Sequence, residues 1–240
     1  MKLLKIFRNL ILLFLCIAGC TGLFLLGQGY VVCQNALSEE PLEKKIEAVR
    51  EDRNYTSIGD LPEMYKDAVL AVEDHRFYEH HGIDPIGIGR ALLHDLRTWS
   101  LEEGGSTITQ QTAKNLYFSQ EKEIRRKAAE LWMAFEMEKV LSKDTILELY
   151  VNTIYFGDGY YGIGEAAGGY FGKSPGELTD SEAVLLAGIT NAPSAYALSG
   201  HADRAIRRQQ QVLDRMVACG YLGGAEAETL IWDPVSDPIK

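Results

Sequence analysis

The sequence predicts a mostly α protein: one compact helical domain behind a single apolar helix. Three observations predict it. Residues 10–26 form an uncharged apolar run. Helix start and stop signals recur along the rest of the chain, while strand-type alternation is weak throughout. The 240 residues, 46% of them hydrophobic, suit one domain with a sizeable core plus an anchor.

Leu10 to Leu26 reads LILLFLCIAGCTGLFLL, and Gly27 to Val32 extends it without charge. Spanning a bilayer takes about 20 mostly apolar residues, and in lipid a helix satisfies its own backbone. Lys2, Lys5 and Arg8 precede the run. The positive-inside rule then predicts a cytoplasmic tail over 1–8, a transmembrane helix over 9–32, and the remainder on the periplasmic or extracellular side. A cleaved signal peptide shares the basic start and apolar stretch. Ile17-Ala18-Gly19-Cys20 also resembles the box before a lipidated cysteine. The chain stays mostly apolar for a dozen residues after Cys20, which favours the retained helix. All three readings put the main domain outside the cytoplasm.

Residues 33–59 read as a linker or membrane-proximal segment, in which the charged stretch Glu39 to Asp52 joins anchor to domain or forms a surface helix. The main domain follows over 60–240. Asp60-Leu61-Pro62-Glu63 reads as a capping box with an early proline, opening a helix to about Val72. Asp84-Pro85 starts another, to about Trp99. Leu101 to Thr109 is polar and glycine-containing, which predicts a mobile loop. Ser119 is placed to cap a long helix over Glu121 to Leu141, and a further helix spans Lys143 to Asn152. Tyr155 to Tyr161, rich in glycine and aromatics, predicts a loop. Thr179-Asp180-Ser181-Glu182 is a second capping box, opening a helix to about Ile189. A last helix runs from Asp203 to Cys219, closed by Gly220.

The formal charge is −10, yet the first 32 residues carry only three charges, all positive, so the body carries −13. That argues against nucleic acid as a partner. Of four cysteines, Cys16 and Cys20 lie in the apolar run. Cys33 and Cys219 either pair or stay as thiols, and the missing disulfide framework favours thiols. No metal-ligand spacing appears among the cysteines.

Three polar clusters could carry chemistry. In the first, Glu73 and Asp74 follow an apolar helix and precede Phe77, His80 and Asp84. A carboxylate against apolar surface can act as a general base; acids at a helix end more often serve as caps or ion pairs. The second runs from Gly104 to Asn115 and includes Ser106, Thr107, Gln111 and Lys114. Such hydroxyls, amides and a lysine can hold sugar hydroxyls or phosphate oxygens, or simply form a polar loop entering a helix. In the third, Lys122, Arg126 and Glu130 share a helix stripe beside Lys127. In an acidic protein such a cluster can bind an anion such as pyrophosphate, or be a solvated face with routine ion pairs. Glycosyl transfer commonly uses two acids around the reacting bond, and Glu130 stands about 57 residues after Glu73.

Taken together and in order, these blocks resemble glycosyltransferase family 51, the peptidoglycan glycosyltransferases. The family includes monofunctional enzymes and the glycosyltransferase domain of bifunctional penicillin-binding proteins. Glu73 to Asp84 fits E-D-x-x-F-x-x-H-x-G-I-D, Gly104 to Asn115 fits G-x-S-T-I-T-Q-Q-x-x-K-N, and Arg126 to Glu130 fits R-K-x-x-E. Ile146 to Asn152, Gly162 to Lys173 and Asn191 to Ser194 continue the match, which covers about residues 60–215. Thr112 departs from the usual apolar residue after the two glutamines.

The resemblance implies a lysozyme-like fold with a small flexible lobe near the membrane. It implies lipid II as acceptor and the growing glycan strand on undecaprenyl pyrophosphate as donor. Glu73 is then the general base and Glu130 the second carboxylate. Lys114, Arg126 and Lys127 would stabilise the departing pyrophosphate. Ser106, Thr107, Gln111, Tyr150 and Asn152 match cleft positions that bind substrate or support the acids, and Asp74, Phe77 and His80 are supporting neighbours of Glu73. No cofactor and no resident metal is implied, although a divalent cation such as Mg²⁺ could stimulate the reaction. Other cell-wall synthesis proteins are expected partners. Ser119 to Lys122 matches S-x-x-K, but the partner motifs of a serine acyltransferase are missing, so the expectation is a monofunctional enzyme. The rival functions are a lytic glycan-cleaving enzyme, which needs no pyrophosphate cluster, and an idle lipid II-binding scaffold, which needs no acids.

Overall fold

The computed structural model describes residues 2–98, 105–118, 124–234 and 239. Among them the chain is helical, with isolated β-bridges at His81/Ile83 and Tyr155/Tyr161 and no sheet. The helices are α1 (Lys2–Glu39), α2 (Leu42–Arg50), α3 (Glu63–Glu73), α4 (Pro85–Thr98), α5 (Ile108–Tyr117) and α6 (Ile124–Val140). Then come α7 (Lys143–Thr153), α8 (Ile163–Tyr170), α9 (Asp180–Ile189), α10 (Pro193–Tyr196), α11 (Leu198–Cys219) and α12 (Gly224–Thr229). The expectations for Trp99, residues 101–104, Ser119, Glu121 and Lys122 lie outside the described residues.

Helix α1 is long and apolar enough to cross a membrane. Its 38 residues span about 57 Å at the α-helical rise, well beyond the roughly 30 Å hydrocarbon core of a bilayer. The surplus is used for packing. From Ile6 to Phe24 the large apolar side chains are exposed, as a lipid-facing helix requires. Past Leu25, a stripe through Gly29 and Cys33 turns buried against α6. Gly29 allows the approach: a Cβ there would stand 2.5 Å from Ala128 Cβ and 2.6 Å from its carbonyl carbon. Trp132 Nε1 donates to the Leu26 carbonyl at 2.9 Å, and the Tyr30 and Trp132 rings meet edge-on at 5.4 Å. The anchor helix is therefore continuous with the domain. Residues 33–59 are the end of α1, then α2 and a 3-10 turn over Ile58–Asp60.

Two apolar clusters organise the domain. The larger joins α3, α7, α8, α9 and α11. Its centre is α9, buried from Glu182 to Ile189; a helix apolar all round belongs in the middle of its fold. Thr179 and Glu182 form the expected capping box, and Lys173 Nζ pairs with the buried Glu182 at 2.7 Å. The smaller cluster packs Cys33, Leu42, Leu116, Met133, Met137 and Leu149, and ties α1 and α2 to α5, α6 and α7. Cys33 and Cys219 are both free thiols.

Several expected boundaries moved. The capping box at Asp60–Glu63 does not form: Pro62 is the N-cap of α3 and has no side-chain cap bond. Asp60 belongs to the preceding 3-10 turn, and Glu63 pairs one turn on with Lys66 instead. Ile108 and Thr109, expected in a loop, begin α5, because Thr107 and Gln110 close a capping box there. Helix α11 is assigned from Leu198, but His201 breaks it at φ −139°, ψ 32°, so the regular helix starts near the expected Asp203. Gly220 ends it at φ 82°.

Candidate active site

Glu73 is the last residue of α3 and stands beside Thr190, the C-cap of α9. Both helices point their partial negative ends here, so stabilisation of a Glu73 anion must come from side chains. Gln111 Nε2 donates to Glu73 Oε2 at 2.6 Å, and Thr190 Oγ1 to Oε1 at 3.3 Å. Beneath lie Tyr65 and Tyr150, both fully buried. Burial first, then the Glu73 charge, pushes both phenols above their ordinary ionisation range, so each stays neutral.

Asp74 locks this carboxylate in place. It accepts from the Ile108 backbone N–H at 3.1 Å, one of the unpaired N–H groups at the start of α5. It also holds His80 Nε2 at 2.9 and 3.0 Å. Thr107 Oγ1 donates to the Gly82 carbonyl at 2.7 Å. The first and second sequence blocks are thus one unit, which sets Gln111, one turn into α5, against Glu73. Phe77 is buried below, with Lys143 Nζ 4.4 Å from its ring centroid. Asp84 caps α4 through the Ile86 N–H at 3.0 Å and pairs with Arg76.

Glu73 opens into a cavity of about 250 Å³ whose far wall carries Lys114, Lys127 and Glu130. The Glu130 side chain is 1% exposed. It accepts from Lys127 Nζ at 2.9 Å and lies 3.4 Å from Arg126 Nε. Lys127 Nζ also donates to Ser106 Oγ at 2.7 Å, across to the start of α5. Lys114 has its pKa lowered, by burial first and also by Arg126 and Lys127, against the pull of Glu130 and Glu73. The result is a half-buried cationic wall facing a carboxylate, with a cleft between. Such a wall suits a phosphate or pyrophosphate. No group of three His, Cys, Asp or Glu side chains is gathered as metal ligands among the described residues.

The structure brings Glu73, Ser106, Gln111, Lys114, Lys127 and Glu130 around one cavity, with Arg126 against Glu130. Asp74, Phe77, His80 and Thr107 support it from below. Two residues contribute no surface to the cavity. Tyr150 is enclosed under Glu73, beside the acid it was expected to support or to join in binding substrate. Asn152 faces away from the cleft: its side chain accepts from Thr56 N and donates to the Thr56 and Glu148 carbonyls, all at 2.7–2.8 Å. Sequence reasoning missed Thr190, and its neighbour Asn191 opens the late block Asn191 to Ser194, the one available signal. It also missed Arg90, Arg208, Gln211 and Arg215. The last three recur at helical i, i+3, i+7 spacing, a periodicity that could have grouped them.

The sequence profile described as Transglycosylase matches residues 39–217. The chain belongs to the transglycosylase family. Its members include penicillin-binding proteins to which this chain is similar. Penicillin-binding protein 1F of Bacillus subtilis (strain 168) is 39% identical over 237 residues, covering 94% of this chain and 33% of that protein. Penicillin-binding protein 1A of Neisseria lactamica is 48% identical over 165 residues, 69% of this chain and 21% of that one. Penicillin-binding protein 1A/1B of Bacillus subtilis (strain 168) is 44% identical over 177 residues, 73% and 19%. The chain thus spans between a fifth and a third of the length of these relatives. The crystal structure of Penicillin-Binding Protein 1A from Haemophilus influenzae aligns at TM-score 0.43 and 24% identity, over 75% of this chain and 17% of that one. In this transglycosylase-family chain the matched stretch contains both the Glu73 carboxylate and the cationic wall opposite it.

Proposed function

We propose that the chain is a peptidoglycan glycosyltransferase that polymerises lipid II into β-1,4-linked glycan on the outer face of a bacterial plasma membrane. The observation that carries this reading is a carboxylate held between an amide and a hydroxyl, facing Lys114 and Lys127 across one cleft, with Arg126 behind them against Glu130. Glu73 takes the proton from the acceptor sugar's 4-hydroxyl as that oxygen attacks the donor's anomeric carbon. The carbon–oxygen bond to pyrophosphate breaks, and undecaprenyl pyrophosphate leaves with the electron pair. Attack and departure occur on opposite faces, so the anomeric centre inverts and no covalent enzyme intermediate is needed. Lys114, Lys127 and Arg126 stabilise the charge that grows on the departing pyrophosphate.

Glu130 acts through its neighbours. Buried and engaged by Arg126 and Lys127, it keeps two cations in a site they would otherwise leave for water. Helix α1 holds the cleft beside a lipid substrate, with the N-terminal Lys2, Lys5 and Arg8 on the cytoplasmic side.

The test is product identity. Full-length protein in detergent, given labelled lipid II, is expected to make a polymer that a muramidase digests. It is expected not to clear a suspension of purified cell wall. A folded protein that yields no polymer in several detergents, with or without Mg²⁺, would overturn the reading, and clearing of the wall would replace it with a lytic one.

A further inference from the structure

Glu73 borders a second cavity, of about 350 Å³, on the side away from Lys114 and Lys127. Its wall comes from α4 and α11. Arg90, Arg208 and Arg215 line it with His75, and Glu73 and Asp74 are its acids. Asp74 is already engaged by His80 and the Ile108 N–H, which leaves Glu73 as the other acid in a lining that carries three arginines. In a body of charge −13, three arginines gathered at one cavity call for an anion.

Two of the arginines are held from within the fold. Arg215 Nε donates to the Ala71 carbonyl at 3.2 Å, and Arg208 Nη1 to Gln211 Oε1 at 3.0 Å. Arg208 Nε is buried with no hydrogen-bond partner among the described residues, an unmet donor beside the cavity. His75 reports the local field: its pKa is lowered by burial first, then by Arg90, Arg215 and Arg76, against Asp74.

The geometry points to a second oxyanion subsite, formed by Arg90, Arg208 and Arg215, that holds an anionic group of the substrate on the attacking side of Glu73. This rests on the reaction proposed above. Guanidinium groups match phosphate and carboxylate oxygens alike. The lipid-linked disaccharide offers both, in its pyrophosphate and in its peptide.

A readout independent of polymerisation comes first. Full-length protein with isotope-labelled histidine rings is titrated with inorganic pyrophosphate, and His75, assigned with His75→Gln, is followed by NMR. A saturable shift of the His75 ring is expected, weakened at least threefold in Arg208→Gln and in the exposed-site variant Arg90→Gln, and retained in Lys114→Gln. No His75 shift, or one as strong in both arginine variants as in the native protein, would overturn the subsite even if polymer forms. A His75 shift without any polymer would keep the subsite and sink the reaction.

Kinetics then separate the two sources. Arg208→Gln is expected to raise the KM for lipid II about tenfold. If that penalty persists on a lipid-linked disaccharide lacking the peptide, the anion is the phosphate; if it vanishes there, the anion is a peptide carboxylate. An unchanged KM on both substrates would overturn the proposal.

Discussion

The two walls of the Glu73 cleft are built on different principles. The α5/α6 wall is a closed ionic unit: Lys127 is shared between Ser106 and Glu130, and Arg126 lies against the same buried carboxylate. Lys127 and Arg126 are held by an internal acid, so their positions are set before any substrate arrives. On the α4/α11 wall the acids are Glu73 and Asp74, at the cleft itself. Arg215 leans on a backbone carbonyl and Arg208 on a glutamine, and Arg208 Nε is left unmet. A preset wall suits charge that appears only in the transition state, because the cost of ordering is met in folding. A wall with unmet donors suits charge that the substrate already carries when it binds.

The largest effect should come from the residue both walls share. Glu73→Gln keeps the Gln111 contact and removes the base, so polymerisation should fall by about 10²–10⁴, with the melting temperature unchanged. Activity near that of the native protein would remove Glu73 from the chemistry. Next comes the acid inside the preset wall. Glu130→Ala leaves the largely buried Arg126 without its acid while the half-exposed Lys127 can turn to water, so the loss should fall below the roughly 3–5 kcal/mol of a fully buried pair. Thermal unfolding in detergent should drop accordingly, and Glu130→Gln should cost about 10²-fold in rate. A Glu130→Gln protein as fast and as stable as the native one would show that the wall is not preset.

Smaller effects test how the preset wall is anchored. Gly29→Val drives side-chain atoms into the Ala128 backbone of α6, and overpacking of this kind costs about 1–3 kcal/mol. The loss should appear in the melting temperature, with a slower rate because α6 carries Arg126, Lys127 and Glu130. The smallest effect lies away from both walls. Burial pushes the Glu148 pKa up, but hydrogen bonds from Tyr55, the Ile58 N–H and Arg50 outweigh it and hold it below 4.5. A depressed carboxylate stabilises the fold above its unfolded pKa, and that contribution fades as pH falls through the folded value. Glu148→Gln should therefore lose about 1–2 kcal/mol at pH 7, with the difference closing below about pH 4.5. A difference independent of pH would mean that the charge is idle.

The comparison also explains what could be read from the sequence. The α5/α6 wall and the Glu73 unit are built from contiguous blocks, so Glu73, Gln111, Lys114, Lys127 and Glu130 were legible as residues before their meeting was visible. The apolar run and the Thr179 capping box were legible because both are local signals. The α4/α11 wall was not: Arg90 and Arg208 lie 118 positions apart and become neighbours only through tertiary packing. Asn152 misled for the opposite reason. It sits in a strong block, yet it serves the Thr56 backbone, and a motif does not say whether a side chain faces the cleft or the fold.

The division of labour between the walls can be measured directly. Lipid II polymerisation by Lys114→Gln and Arg208→Gln is followed against the native full-length protein, each at saturating and at limiting substrate, with melting temperatures matched. Lys114→Gln should lower kcat by about 10²-fold with little change in KM, whereas Arg208→Gln should raise KM about tenfold and leave kcat within about threefold. Equal effects of the two variants on kcat and KM would contradict two walls acting at separate steps around Glu73.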